Sequence, residues 1–349
     1  MINPDLRVMI GQMVMTGFCG LDASETSEIY ETIKTCQPGG ILLFDWDGGL
    51  KTYKRNIKSR EQFQKLVAEL QKATEIPLFT GIDQEGGNVC RLKEETGFCK
   101  VKSAQEIGLH NDADEAKLWS EQIAADLNYA GINLNLAPVV DLEINQDNPI
   151  IGKMGRSFGK KAEKVISLAG IFCEVIRQKG ILSCLKHFPG HGSASTDTHK
   201  QFTDISDSWH ESELLPFEEL IKRDLPDMIM TGHLYHRKFD EHFPATLSKK
   251  IIGGILRDKL GWQGVIVSDD MQMKAITDNY SLEESIFKAI NAGVDILVFG
   301  NNSLHNLKSS LTKVIDIIEK FVDEGKISSD RIVESYERII LLKQENIGY

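Results

Sequence analysis

Between Lys186 and His199 the chain reads KHFPGHGSASTDTH: three histidines, one lysine, one aspartate, two glycines and four hydroxyl residues, with almost no apolar periodicity. Such a segment builds no core, so its side chains are available for chemistry. Metal binding is one reading, because His187 and His191 have the spacing of two helical zinc ligands. Pro189 and Gly190 lie between them and bar a regular helix, so no metal is expected. A metal-dependent hydrolase barrel would also carry a histidine pair at the end of its first strand, and MVMTGF has none. Anion binding is a second reading, with the GHG turn beside Lys186, but the glycines are too few for a cradle of backbone amides. The third reading takes DTH. On an extended segment residues i and i+2 point the same way. Asp197 then accepts from one ring nitrogen of His199, while the other nitrogen faces a substrate as an acid/base. The plain alternative is a loop whose polar residues cap one another.

The elements that position this segment follow from apolar runs. Eight of them read as strands: GQMVMTGF, GGILLF, PLFTGID, INLNLAPVVDL, ILSCLKHF, DMIMTGH, GVIVSDD and DILVFG. Between them lie helical patterns such as SREQFQKLVAELQKAT, DADEAKLWSEQIAADLNYAG and KKAEKVISLAGIFCEVIRQKG, the last two ending on Gly131 and Gly180 as C-caps. Strands too apolar to have one wet face, alternating with helices, describe a parallel sheet covered by helices. The expected class is α/β, a (β/α)8 TIM-type barrel forming one catalytic domain over 1–349, with a C-terminal helix from about Ser328 that serves packing. An open doubly wound sheet is the alternative, but no GxGxxG follows the first strand. Asp83, Asp141, Lys186 with His187, His233, and Asp269 with Asp270 all fall at strand C-termini. In a barrel these ends converge on one mouth. Each alone also reads as the N-cap of the next helix; five together favour a site.

Composition narrows the function. The chain has 349 residues, 41% hydrophobic and 26% charged, with 51 acidic against 40 basic residues and a net charge of −11. No basic stripe interleaves with aromatics, so a nucleic-acid partner is not expected. The N-terminal MINPDLRVMIGQMVMTGF lacks the basic and long apolar regions of a secretory signal, and no window nears the roughly 20 apolar residues of a membrane span. No membrane association and a cytoplasmic location are the expectation. The six cysteines are scattered without metal-ligand spacing and read as reduced thiols.

The stretch KHFPGHGSASTDTH resembles the signature of bacterial β-N-acetylglucosaminidases of glycoside hydrolase family 3, of the peptidoglycan-recycling type. IDQEGGNVCRL, NLAPVVDL, GRSFG, PATLS and VIVSDDMQM look like further blocks of that family, in its order, from roughly Gly11 to Gly300. The resemblance implies a barrel, retention through a covalent glycosyl-enzyme intermediate, Asp269 as nucleophile, and His199 with Asp197 as acid/base. Relatives acting as β-glucosidases usually take a glutamate acid from a second domain; the expectation here is that the barrel supplies its own. Asp83, Arg91, Arg156, Lys186 and His187 match positions that bind the terminal N-acetylglucosamine. Asn88 stands where relatives more often have arginine. No cofactor is implied. The implied partner is a small-molecule substrate, N-acetylglucosaminyl-anhydro-N-acetylmuramic acid with or without peptide, acted on by a monomer. A β-N-acetylglucosaminide phosphorylase and a non-catalytic sugar-binding protein are the rivals. Two structural expectations accompany the roles. Alternation along GVIVSDD sends Asp269 and Asp270 to opposite faces. Gly190, Gly192 and the small residues after them act as hinges of a swinging loop that apolar side chains hardly anchor.

Overall fold

A computed structural model describes residues 5–301 and 307–348. Residues 1–4, 302–306 and 349, which the single-domain and tail-helix expectations include, lie outside the described residues. Eight parallel strands close into a barrel: β1 (Val14–Gly17), β2 (Gly40–Leu43), β3 (Phe79–Ile82), β4 (Leu134–Asn135), β5 (Leu182–Phe188), β6 (Met228–Thr231), β7 (Val265–Asp270) and β8 (Ile296–Phe299). Neighbours in sequence are neighbours in space. β8 closes on β1 with Val14 opposite Leu297, and β1 meets β2 with Met15 opposite Gly40. β1 to β6 are buried along their length, which is why they read as unbroken apolar runs rather than alternating ones.

All eight expected runs contain a barrel strand. The largest difference is at INLNLAPVVDL, where only Leu134–Asn135 forms ladder pairs and Val139 meets Lys186 in an isolated bridge. Pro138 has no N–H for a ladder. The side chain of Asn135 takes over, accepting from the Gln84 N–H at 3.0 Å and donating to its carbonyl at 3.1 Å. The expected helices form as read. Ser59 and Asp112 cap Arg60–Lys72 and Ala113–Ala130 by accepting from the backbone N–H of Gln62 and Glu115, which satisfies donors the helix itself leaves free.

The helix Ser329–Asn346 packs across the N-terminal end of the barrel, burying Ile332, Ile339 and Lys343. The Lys343 ammonium donates to Gln12 Oε1 at 2.6 Å and to the Gly39 carbonyl at 2.9 Å, residues that lead into β1 and β2. Burial holds its pKa well below the ordinary lysine value. That end is a plug. The opposite end carries two short accessory pairs, Gln84–Gly86 with Val89–Cys90 and Thr203–Asp204 with Leu234–Tyr235, which shape the loops around the mouth.

Candidate active site

At the C-terminal ends of the strands lies a cavity of about 280 Å³. Seven of the eight expected residues line it: Asp83, Arg91, Arg156, Lys186, His187, His199 and Asp269. The eighth, Asp197, stands behind His199.

The deep half is a web of paired charges. Lys186, on β5 and only 2% exposed, donates to Asp83 at 2.7 Å and contacts Glu85. Glu85 in turn accepts two bonds from Arg156, at 2.7 Å from Nε and 2.8 Å from NH2. Arg91 stands 3.5 Å from both Asp83 and Asp45. Burial alone would raise the two carboxyls, but the charges of Arg156 and Lys186 hold Glu85 at about 2, and those of Lys186 and Arg91 hold Asp83 below its usual value. Burial likewise works against the Lys186 ammonium, and Asp83 and Glu85 overcome it. Every charge here is compensated, so the network stays ionised and fixed, which suits recognition of hydroxyl and amide groups.

His187 is aimed by Asp141. Its Nδ1 lies 2.7 Å from Asp141 Oδ2, and the same carboxylate accepts the backbone N–H of His187 at 3.2 Å and of His191 at 2.8 Å. The other ring nitrogen, Nε2, faces Arg156 NH2 at 3.4 Å. Arginine only donates, so the proton of a neutral His187 belongs on Nδ1.

Asp269 and Asp270 end β7, half-buried. Asp269 Oδ1 accepts from the Asp270 N–H at 2.8 Å. Burial opposes its charge, yet the nearby imidazoles of His233, His187 and His199 keep its pKa below the ordinary value. Asp270 goes the other way: burial pushes it up to about 6, although its Oδ1 accepts from the N–H groups of Gln272 and Gly300 at 3.0 and 3.1 Å. His233 supports the pair from below, its Nε2 2.9 Å from the Asp270 carbonyl and its Nδ1 2.8 Å from Thr246 Oγ1. At the mouth, His199 Nδ1 lies 3.0 Å from Asp197 Oδ1, which also accepts the His199 backbone N–H at 2.9 Å. The imidazole is 61% exposed. Burial works against the Asp197 carboxylate, and these bonds still hold it below its usual range.

Residues 5–342 match the family described as Glycosyl hydrolase family 3 N terminal domain. The chain belongs to glycosyl hydrolase family 3. Among its family relatives, Beta-hexosaminidase of Tolumonas auensis is 35% identical over 81% of this chain and 80% of its own length. Beta-hexosaminidase A of Pseudoalteromonas piscicida is 31% identical over 96% of this chain, which spans 60% of that protein. The solved family 3 β-N-acetylglucosaminidase from Paenibacillus sp. str. FPU-7 superposes with a TM-score of 0.89 at 34% identity, over 99% of this chain and 63% of that one.

Within this family 3 barrel two expectations change. Asp269 and Asp270 both line the cavity, because the pairing of β7 with β8 slips between Val267 and Asp270 and breaks the alternation. The glycines expected as hinges stand in close contacts that the sequence did not show. A Cβ on Gly192 would lie 1.6 Å from the Leu142 carbonyl oxygen, and one on Gly190, at φ +117, would lie 2.7 Å from Glu213 Cβ. These glycines permit a close approach that a side chain would block. Nor is the segment unanchored: Phe188 packs edge-on against Phe217, and Ala194 joins Ile205 and Leu234 in a small core.

Three participants escaped the sequence reading. Glu85 stood in the quoted IDQEGG block, two residues past Asp83, but nothing in the pattern says that Arg156 reaches it. Asp141 was visible only as a strand-end acid. Trp46 and its loop carried no motif at all. Asn88, the departure from the family pattern, sits at the rim and donates to the Met154 carbonyl at 3.1 Å.

Proposed function

We propose that the protein is a retaining exo-β-N-acetylglucosaminidase that removes terminal β-linked N-acetylglucosamine from peptidoglycan fragments in the cytoplasm, acting as a monomer without a cofactor. The observation that carries this reading is the opposition of two kinds of group in one cavity: the Asp269 carboxylate on the floor and the Asp197-supported His199 at the mouth. The hexosaminidase and N-acetylglucosaminidase relatives support the amino-sugar assignment. The terminal sugar lies in the deep half, against Asp83, Arg156, Lys186 and His187, with Arg91 at its edge. Asp269 attacks the anomeric carbon as protonated His199 gives its proton to the departing glycosidic oxygen, leaving a glycosyl ester on Asp269 and a free aglycone. Neutral His199 then takes a proton from the water that attacks the same carbon, and Asp269 is released. The Asp197 carboxylate orients the ring and offsets its positive charge.

The test compares 4-nitrophenyl β-N-acetylglucosaminide with the matching β-glucoside. A site built to hydrogen-bond the acetamido group should favour the first by about 10²-fold or more in kcat/KM. Equal efficiencies remove the N-acetyl assignment. Products analysed with and without inorganic phosphate separate hydrolysis from phosphorolysis, since only the latter gives sugar 1-phosphate. Turnover of N-acetylglucosaminyl-anhydro-N-acetylmuramic acid tests the fragment class, and tight binding without turnover would mark a sensor.

A further inference from the structure

The cavity is unevenly buried. Lys186, His187 and Arg156 at its deep end are each less than a tenth exposed. At the mouth His199 is 61% exposed and Trp46, which lines the same cavity, is 38% exposed. Trp46 belongs to the loop after β2, which joins the charge web only through its neighbour Asp45, 3.5 Å from Arg91. Its ring packs on Tyr53, centroids 4.6 Å apart at 59°, and Tyr53 is itself 61% exposed. Lys93 covers the Tyr53 ring, its Nζ 4.2 Å from the centroid and 2.6 Å from Asp45 Oδ2.

This loop is braced. Asp47 and Thr52 exchange backbone hydrogen bonds of 2.8 and 3.3 Å, and Asp47 Oδ1 accepts the N–H groups of Gly49 and Leu50 at 2.9 and 2.8 Å. Its base is tied by the Asn56 N–H to the Phe44 carbonyl at 3.1 Å and by the Phe44 N–H to Asn56 Oδ1 at 3.0 Å. Two large aromatics remain partly exposed at the cavity mouth, Trp46 by 38% and Tyr53 by 61%. A preorganised apolar face beside polar groups is what a ligand ring requires.

We propose that Trp46, backed by Tyr53, is the platform on which the leaving-group sugar lies, so that the protein selects glycosides whose aglycone is itself a pyranose ring. This deepens the glycosidase reading and rests on it. The deep half is filled by the sugar that becomes attached to Asp269. The oxygen protonated by His199 joins that sugar to the aglycone, which therefore occupies the outer half, where Trp46 offers a flat surface to the C–H face of a sugar. A contact made equally before and during bond breaking lowers KM without raising kcat.

The experiment compares N,N′-diacetylchitobiose with methyl β-N-acetylglucosaminide in wild type, Trp46→Ala and Trp46→Phe. We expect Trp46→Ala to raise KM for the disaccharide about tenfold more than for the methyl glycoside, with little change in kcat, and Trp46→Phe to restore most of the difference. Equal losses on both substrates, or no loss on either, overturn the platform. Binding is read separately in the Asp269→Asn background by isothermal titration calorimetry with the disaccharide and with N-acetylglucosamine. Adding Trp46→Ala should weaken the disaccharide alone; unchanged disaccharide affinity overturns the proposal. Wild type that cleaves neither glycoside sinks the glycosidase reading instead, and the titration then decides the platform by itself.

Discussion

The two halves of the 186–199 segment are built on opposite terms. From 186 to 194 every residue is buried, whereas from 195 to 199 only Thr198 is. The first half is held from three sides. Asp141 accepts two of its backbone N–H groups, Trp209 Nε1 donates to the Pro189 carbonyl at 3.1 Å, and Glu213 accepts the Ser193 N–H at 3.2 Å. The second half is held chiefly by Asp197 capping its own neighbours. Under the proposed function, the difference separates two tasks that the sequence writes as one motif. Recognition of a sugar in a deep pocket needs groups that do not move, while an acid that serves first a leaving oxygen and then a water needs access to the mouth.

The largest expected effect tests the fixed floor. Asp269→Asn keeps the shape and removes the attacking charge, so turnover should fall by about 10³-fold or more with sugar binding largely retained. Asp270→Asn should be much milder, because its carboxylate is engaged by two backbone N–H groups. Steady-state kinetics and equilibrium titration of both variants check the pair. A dead Asp270→Asn beside an active Asp269→Asn would reverse the assignment.

The free half should respond differently to different leaving groups. His199→Ala should reduce turnover of a natural disaccharide by about 10²- to 10³-fold, but of an activated aryl glycoside by less than about tenfold, since the latter departs with little need of a proton. The ratio of the two losses is the measurement. Equal losses would give His199 a positioning role and make the contrast between the halves one of burial alone.

How much of this was legible depended on whether the signal was local. Barrel strands could be read because burial on both faces writes an unbroken apolar run, and the strand-end acids because they directly follow one. Asp197 and His199 could be paired because two residues on a short extended segment meet through local geometry. Glu85 and Arg156 could not: they lie 71 residues apart, and only closure of the barrel joins them. The close contacts of the glycines were hidden for a related reason. Glycine gives the same letter for freedom and for tight contact, and only the Leu142 carbonyl against Gly192 tells them apart. The alternation of Asp269 and Asp270 failed because a register slip leaves no mark in the sequence.

The rigidity of the first half has its own test. Gly192→Ala places a methyl where a backbone oxygen already stands, so either the loop or the strand exit must shift; we expect about 3 kcal/mol of lost stability. Ser195→Ala, at an exposed position in the other half, should stay within about 0.5 kcal/mol. Chemical denaturation of both variants checks the comparison, and a Gly192→Ala protein of wild-type stability would mean that the close contact does not constrain this position.

A last effect, spread over pH, concerns what clamps the first half. Glu213 is 1% exposed, and its two oxygens accept the N–H groups of Ser193 and His210, each at 3.2 Å. Burial pushes its pKa up to about 7; the two N–H bonds work against this rise, and the negative charge of Asp141 adds to it. In the unfolded chain the same group loses its proton near the ordinary glutamate value of about 4.3. Below that value both states hold the proton and the burial of Glu213 carries no ionisation cost. Between there and about 7 the unfolded chain releases the proton while the folded one keeps it, so stability falls as pH rises. Above about 7 both are ionised and the difference levels off. Glu213→Gln cannot ionise, so the unfolding free energy of wild type minus that of the variant should drop by about 3 kcal/mol between pH ~4.5 and pH ~7.5 and then level off. Denaturation of both proteins across that range reads it. A difference that does not vary with pH would mean that Glu213 stays charged throughout, and the fixed half would then be held by a permanent anion rather than by a group that accepts its charge only above neutrality.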